Sequence, residues 1–145
     1  MSQDPFDLER FVQAQDLGGT YAAALGEMRR GQKTSHWMWF VFPQLAGLGE
    51  SPTSRRYAIS SLEEARAYLA HPLLGPRLVE SATLLANGGP PAEAIFGALD
   101  AQKLRSSMTL FRLAAPERIA FDAVLKRHFH GAADPVTLDL LAARQ

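Results

Sequence analysis

The chain has 145 residues, 47% of them apolar, and its 15 Lys and Arg balance 15 Asp and Glu. That length suits one all-α domain over 1–145 with a core of ordinary size, and the neutral balance argues against non-specific nucleic-acid binding. No cysteine is present, which rules out disulfides, a thiol nucleophile and a thiolate metal site and suits a reducing cytoplasm.

Punctuation along the chain predicts a compact bundle of about seven to eight short helices. Asp4-Pro5 opens a first helix, with Phe6, Leu8, Phe11 and Val12 as its apolar side. Thr20 starts a second over 21–30, closed by Gly31 with Arg29 and Arg30 in the last turn, where the helix dipole favours cations. Ser35 caps a short helix through an aromatic run that Pro43 ends, and 44–60 reads as loop from its glycines, serines and Pro52. Ser61-Leu62-Glu63-Glu64 fits a capping box, with Ser61 as cap and Glu64 reaching back, opening a helix to Ala70. His71-Pro72 makes a corner whose imidazole bonds a carbonyl, and the next helix runs through Leu78 and Leu85 to Asn87-Gly88-Gly89. Pro90-Pro91 opens a short helix, Asp100 caps one reaching Leu113, Pro116 opens one to Phe129, and Asp134-Pro135 starts the last. No segment alternates with period two, and no apolar run approaches the roughly 20 residues of a membrane helix. Acidic Asp4, Asp7 and Glu9 are unlike a signal peptide.

The densest chemistry lies in Ser35-His36-Trp37-Met38-Trp39-Phe40-Val41-Phe42-Pro43-Gln44-Leu45, which holds both tryptophans. Residues two apart leave a helix in different directions, so Trp37 and Trp39 need separate pockets, and a buried indole N–H needs a partner. His36 and Gln44 flank this aromatic floor. His36 reads equally as a ligand donor and as a core histidine at a helix start. Trp37 and Trp39 can stack on a ring, although core packing accounts for at least one of them.

A second cluster is Lys103-Leu104-Arg105-Ser106-Ser107-Met108-Thr109. Three hydroxyls beside two cations are unusual inside a helix and suit phosphate or ribose oxygens; close packing with hydroxyls turned back on the preceding turn is the alternative. Asp100 and Lys103, three apart, share a helix face. Glu64 and Asp100 are the carboxylates able to activate water, and both also read as helix caps. His128 and His130 make an unconvincing metal pair, and no P-loop or nucleophile elbow is present, so no metal or organic cofactor is expected.

Several of these segments together resemble one family. Asp4-Pro5-Phe6, Arg10-Phe11, Gln15 and the stretch HWMWFVFPQLAGLG open the resemblance. Tyr57-Ala58-Ile59, Glu64-Ala65, Tyr68-Leu69 and His71-Pro72-Leu73-Leu74-Gly75 with Arg77-Leu78 continue it, and Phe96-Gly97, Asp100, Lys103-Leu104 and Ser106-Ser107-Met108-Thr109-Leu110-Phe111 close it. The chain is similar throughout to the family called domain of unknown function 1810, sometimes labelled calpastatin-like without good reason. The resemblance implies an all-helical fold, a small bacterial-type cytoplasmic protein and no established activity. Glu64-Ala65 with Tyr68-Leu69, and Asp100 with Lys103, also resemble the helical N-glycosidases of the NADAR group, which act on ribosylated metabolites and ADP-ribosyl groups; the HWMWFVFPQ segment departs from that group.

Two functions follow as expectations. The first is a binder of, or cofactor-free N-glycosyl hydrolase for, a nucleotide- or ADP-ribose-like small molecule. Glu64, Asp100 and His36 would be its catalytic groups, and Trp37, Trp39, Gln44, Lys103, Ser106 and Ser107 its ligand contacts. The second is a protein-interaction module that docks through the Trp- and Phe-rich segment. A concave pocket lined by His36, a tryptophan, Lys103 and Ser106 would favour the first, and a flat apolar patch the second.

Overall fold

The computed structural model of the protein describes residues 4–144. Helices follow one another as α1 (Glu9–Asp16), α2 (Thr20–Arg30), α3 (Met38–Val41), α4 (Pro52–Arg56), α5 (Leu62–Ala70), α6 (Leu74–Ala86), α7 (Ala92–Phe96), α8 (Ala98–Ala114), α9 (Ile119–Phe129) and α10 (Pro135–Ala143), with a 3-10 turn at Leu17–Gly19. The fold is all-α. Among the described residues the sole extended pairing is a parallel bridge between Leu45 and Ile59, and no helix is long and apolar enough to cross a membrane.

The 17-residue α8 is the central element. It packs against α5, α7, α9 and α10, while α6 closes the other side of α5 and α9. Leu104, Met108, Leu110 and Phe111 of α8 are fully buried. Phe111 lies 5.4 Å from Tyr68 and 5.8 Å from Phe121, and Tyr68 meets Phe11 edge-on at 5.2 Å. These rings join α1, α5, α8 and α9 into one core, each burial stabilising by roughly 1.5–3 kcal/mol.

Several helix boundaries differ from the sequence expectation, each for a local reason. α1 begins at Glu9 rather than Pro5, because both Asp4 carboxylate oxygens accept backbone N–H groups, from Leu8 at 2.7 Å and Glu9 at 2.9 Å. Within 44–60, Ser51 accepts from the Ser54 N–H and starts α4, with Pro52 at its first position. α9 starts at Ile119, not at Pro116, because Pro116 lies in a turn closed by the Arg118 N–H on the Ala115 carbonyl at 3.0 Å. Nδ1 of His71 does not meet a carbonyl. It accepts from the N–H groups of Leu73 and Leu74, at 3.1 and 3.2 Å, and so caps α6. The boxed start of α5 is half as expected: Ser61 Oγ accepts from the Glu64 N–H, but the Glu64 carboxylate reaches the N–H and hydroxyl of Ser60 instead of the N–H of Ser61.

Candidate ligand-binding site

The segment bearing the tryptophans is positioned by one carboxylate. α2 ends in a Schellman turn, with Gly31 at φ 75°, Gly31 N–H to Met28 and Gln32 N–H to Glu27. This doubles the chain back over Glu27, which falls on the buried face of α2 with Ala24 and Met28. Glu27 Oε1 accepts from the backbone N–H of Thr34 (2.7 Å) and Ser35 (3.0 Å) and from the Trp37 indole (3.0 Å). Oε2 accepts from the Ser35 hydroxyl. Burial alone would raise the pKa of Glu27, but these donors outweigh it and hold the carboxyl at about 2. Ser35 is spent here rather than capping a helix, and Trp37 itself takes the cap position of α3.

Trp37 and Trp39 consequently part company. Trp37 is fully buried, with Phe96 edge-on at 6.0 Å and Phe42 at 6.2 Å. Trp39 remains half-buried at the surface, and Phe40, held by its carbonyl to the Gln15 amide, packs on Tyr57 at 5.3 Å.

Beside the aromatic floor, α7 passes into α8 through Gly97, whose φ of 82° suits glycine. Gly97, not Asp100, takes the cap position, which leaves Asp100 in the first turn of α8 with its side chain free to bridge. Its Oδ1 accepts from Lys103 and its Oδ2 from Lys33, both at 2.8 Å. Burial opposes ionisation of Asp100, but the two ammonium groups hold its pKa below the usual carboxylate range. Each lysine also faces an indole: Lys33 Nζ lies 5.3 Å from the Trp37 ring and Lys103 Nζ 4.8 Å from the Trp39 ring. The trio keeps one surplus positive charge, of which Lys103 is the more accessible part because the Lys33 side chain is only 8% exposed.

Three adjoining hollows share Trp39. A cationic cleft of about 430 Å³ is lined by Lys33, His36, Trp39, Phe96, Asp100 and Lys103. A polar cleft of about 480 Å³ lies among Trp39, Gln44, Gln102, Lys103, Ser106 and Asp134. A smaller, more enclosed recess of about 180 Å³ is formed by Trp39, Gln44, Gly49, Ser54, Arg55 and Tyr57. Gly49 is required at the recess, since a Cβ there would lie 2.6 Å from Ser54 Cβ.

The structure therefore brings His36, Trp39, Gln44, Asp100, Lys103 and Ser106 to one face. Three expected site residues lie elsewhere. Trp37 is in the core with its N–H satisfied. Ser107 is fully buried, and its hydroxyl has no partner among the described residues. Glu64 lines none of these hollows and is bound instead to Ser60 and, at 2.9 Å, to Arg10. The hydroxyl cluster of α8 also turns inward. Ser106 Oγ donates to Asp134 and Thr109 Oγ1 accepts from the Asp134 N–H, while Arg105 holds the carbonyls of Ala132 and Ala133. Sequence reasoning missed Lys33 and Glu27. The signal for Glu27 was an acidic residue on the apolar stripe of α2.

Residues 5–141 match the family described as "Protein of unknown function (DUF1810)". The chain belongs to the DUF1810 family. It is similar to the conserved hypothetical protein Rv1873 from Mycobacterium tuberculosis, at 54% identity and a TM-score of 0.92 over 96% of this chain and 99% of that one. The similarity therefore covers the Trp39 face as well as the bundle of this DUF1810 member. No curated protein matches it.

Proposed function

We propose that this DUF1810 protein binds a small molecule that joins a planar ring to an anionic group, as nucleotides and ADP-ribose do, at the Trp39 face. The observation that carries the reading is the placement of Lys103 over the Trp39 ring while Asp100 ties it to Lys33. An aromatic wall for a ring and a surplus cation for an anion thus adjoin. Stacking on such a wall is worth about 1–3 kcal/mol, and an ammonium beside a half-buried indole attracts phosphate or carboxylate more strongly than one in open water. His36, exposed at the rim of the cationic cleft, is a further donor. The Trp39 face is indented by these clefts, and the second indole, Trp37, is withdrawn into the core rather than offered at the surface. Both points favour a small ligand over a flat docking surface.

Hydrolysis at an N-glycosidic carbon stands second. Asp100 is the carboxylate at the cationic cleft, since Glu64 is committed to Arg10 and Ser60. An ionised Asp100 suits orienting water, but the ammonium groups on either side oppose positive charge at a reacting carbon, which ranks binding above hydrolysis. The test is calorimetric titration and thermal shift with ADP-ribose and mononucleotides, on the wild type and Trp39→Ala. A ligand at 100 times its Kd adds about 2.7 kcal/mol to stability. Absence of any shift across that panel sinks the reading, and release of free base during incubation promotes the second one.

A further inference from the structure

We infer that the three hollows around Trp39 are consecutive subsites for a purine nucleotide, with the base in the enclosed recess and its edge read by Gln44. This assignment rests on the ligand reading above and adds an orientation and a base class to it.

The recess carries two polar groups that the fold does not use. The Gln44 side-chain amide makes no hydrogen bond within the described residues, although the Gln44 backbone carbonyl is engaged by the Ile59 N–H at 2.8 Å. The Arg55 guanidinium, exposed at the rim of the recess, makes no hydrogen bond or ion pair among the described residues, a condition it shares with Arg29, Arg30, Arg56 and Arg118 but, unlike them, beside a hollow with aromatic walls. The backbone of Gln44 is fixed by the bridge to Ile59, so the amide is presented from a rigid position.

Size and chemistry then select the occupant. At about 180 Å³ the recess is below the roughly 300–1,000 Å³ of pockets for whole drug-sized ligands and suits a single ring system. Trp39 and Tyr57 supply aromatic walls, and Arg55 a planar guanidinium that stacks on a base. A glutamine amide offers a donor and an acceptor side by side, which matches the N6/N7 edge of adenine. The polar cleft links the recess to the cationic cleft, because it shares Gln44 with the first and Lys103 with the second. Asp134 is buried there with its oxygens taken by Gln102, Ser106 and Thr137, so the exposed Gln102 amide oxygen is the group that suits a sugar hydroxyl, and the phosphate then meets Lys103 and His36.

The experiment is calorimetric titration of the full chain with AMP, GMP, UMP and ribose 5-phosphate, on the wild type, Gln44→Leu and Trp39→Ala. The wild type should bind AMP at least tenfold more tightly than ribose 5-phosphate or UMP. Gln44→Leu should erase the preference for AMP over the other nucleotides while the stacking advantage over ribose 5-phosphate persists, with the ribose 5-phosphate affinity and the melting temperature unchanged. If AMP outbinds ribose 5-phosphate but all bases are equal, or Gln44→Leu keeps the adenine preference, this assignment falls while the ring-plus-anion reading stands. If AMP binds no better than ribose 5-phosphate and Trp39→Ala changes neither, or if no probe binds, both fall.

Discussion

The indole N–H of Trp37 donates to Glu27 Oε1 at 3.0 Å, and the same carboxylate gathers the N–H groups of Thr34 and Ser35 and the Ser35 hydroxyl. One buried anion on α2 thereby sets the path of the loop that carries Lys33 and His36. The cationic cleft is thus built by a residue that does not line it.

This anion makes acid stability a direct readout. The Glu27 carboxyl is lowered from an ordinary 4.5 to about 2 in the fold, so the native state binds fewer protons than the unfolded chain between those values. Its contribution is complete above about pH 4.5 and is lost as pH falls through about 2, on the order of 2–3 kcal/mol in all. Urea unfolding of the wild type should weaken across that window. Glu27→Gln should be less stable at pH 7 and show a flatter dependence there; an unchanged slope would contradict the account.

The two tryptophans should separate cleanly on substitution. Trp37→Ala removes a fully buried ring and leaves Glu27 one donor short, at a cost of about 3–5 kcal/mol. Trp39→Phe, at a half-buried surface position, should cost about 1 kcal/mol or less while weakening any ligand that stacks there. Chemical denaturation of the two variants side by side checks the order.

Arg10 and Glu64 form a structural clamp. The Arg10 guanidinium donates to the carbonyls of Phe6, Asp7, Arg56 and Ala58 and to Glu64, using all five of its N–H groups. Its side chain is 10% exposed and that of Glu64 4%. Glu64→Gln and Arg10→Lys should each lower stability by several kcal/mol, as expected when one partner of a buried pair is removed. Ligand affinity at the Trp39 face should remain. A Glu64→Gln variant of native melting temperature that loses turnover would restore a catalytic role.

Gly75 marks a close approach of α6 to the end of α5. A Cβ there would lie 2.0 Å from the Leu69 carbonyl oxygen, which is backbone and cannot rotate away. Gly75→Ala should therefore destabilise by about 3 kcal/mol or more despite alanine's better helix propensity. Thermal unfolding of this single variant tests it.

The sequence by itself determined the all-α class, the family membership and most helix positions, because helical periodicity, prolines, caps and glycine stops are local properties of neighbouring residues. It also marked the 35–45 segment and the Asp100 to Lys103 pair, since aromatic and charged residues were unusually dense there. The tertiary structure alone decided which of two tryptophans faces the core, because that depends on Glu27, ten residues earlier, meeting the indole across a turn. It decided that Glu64 pairs with Arg10 from α1, and that the α8 hydroxyls turn inward to Asp134 at the start of α10. It also placed Lys33 against Asp100. Each of these rests on contacts between groups on different elements, which local periodicity and capping rules do not reach.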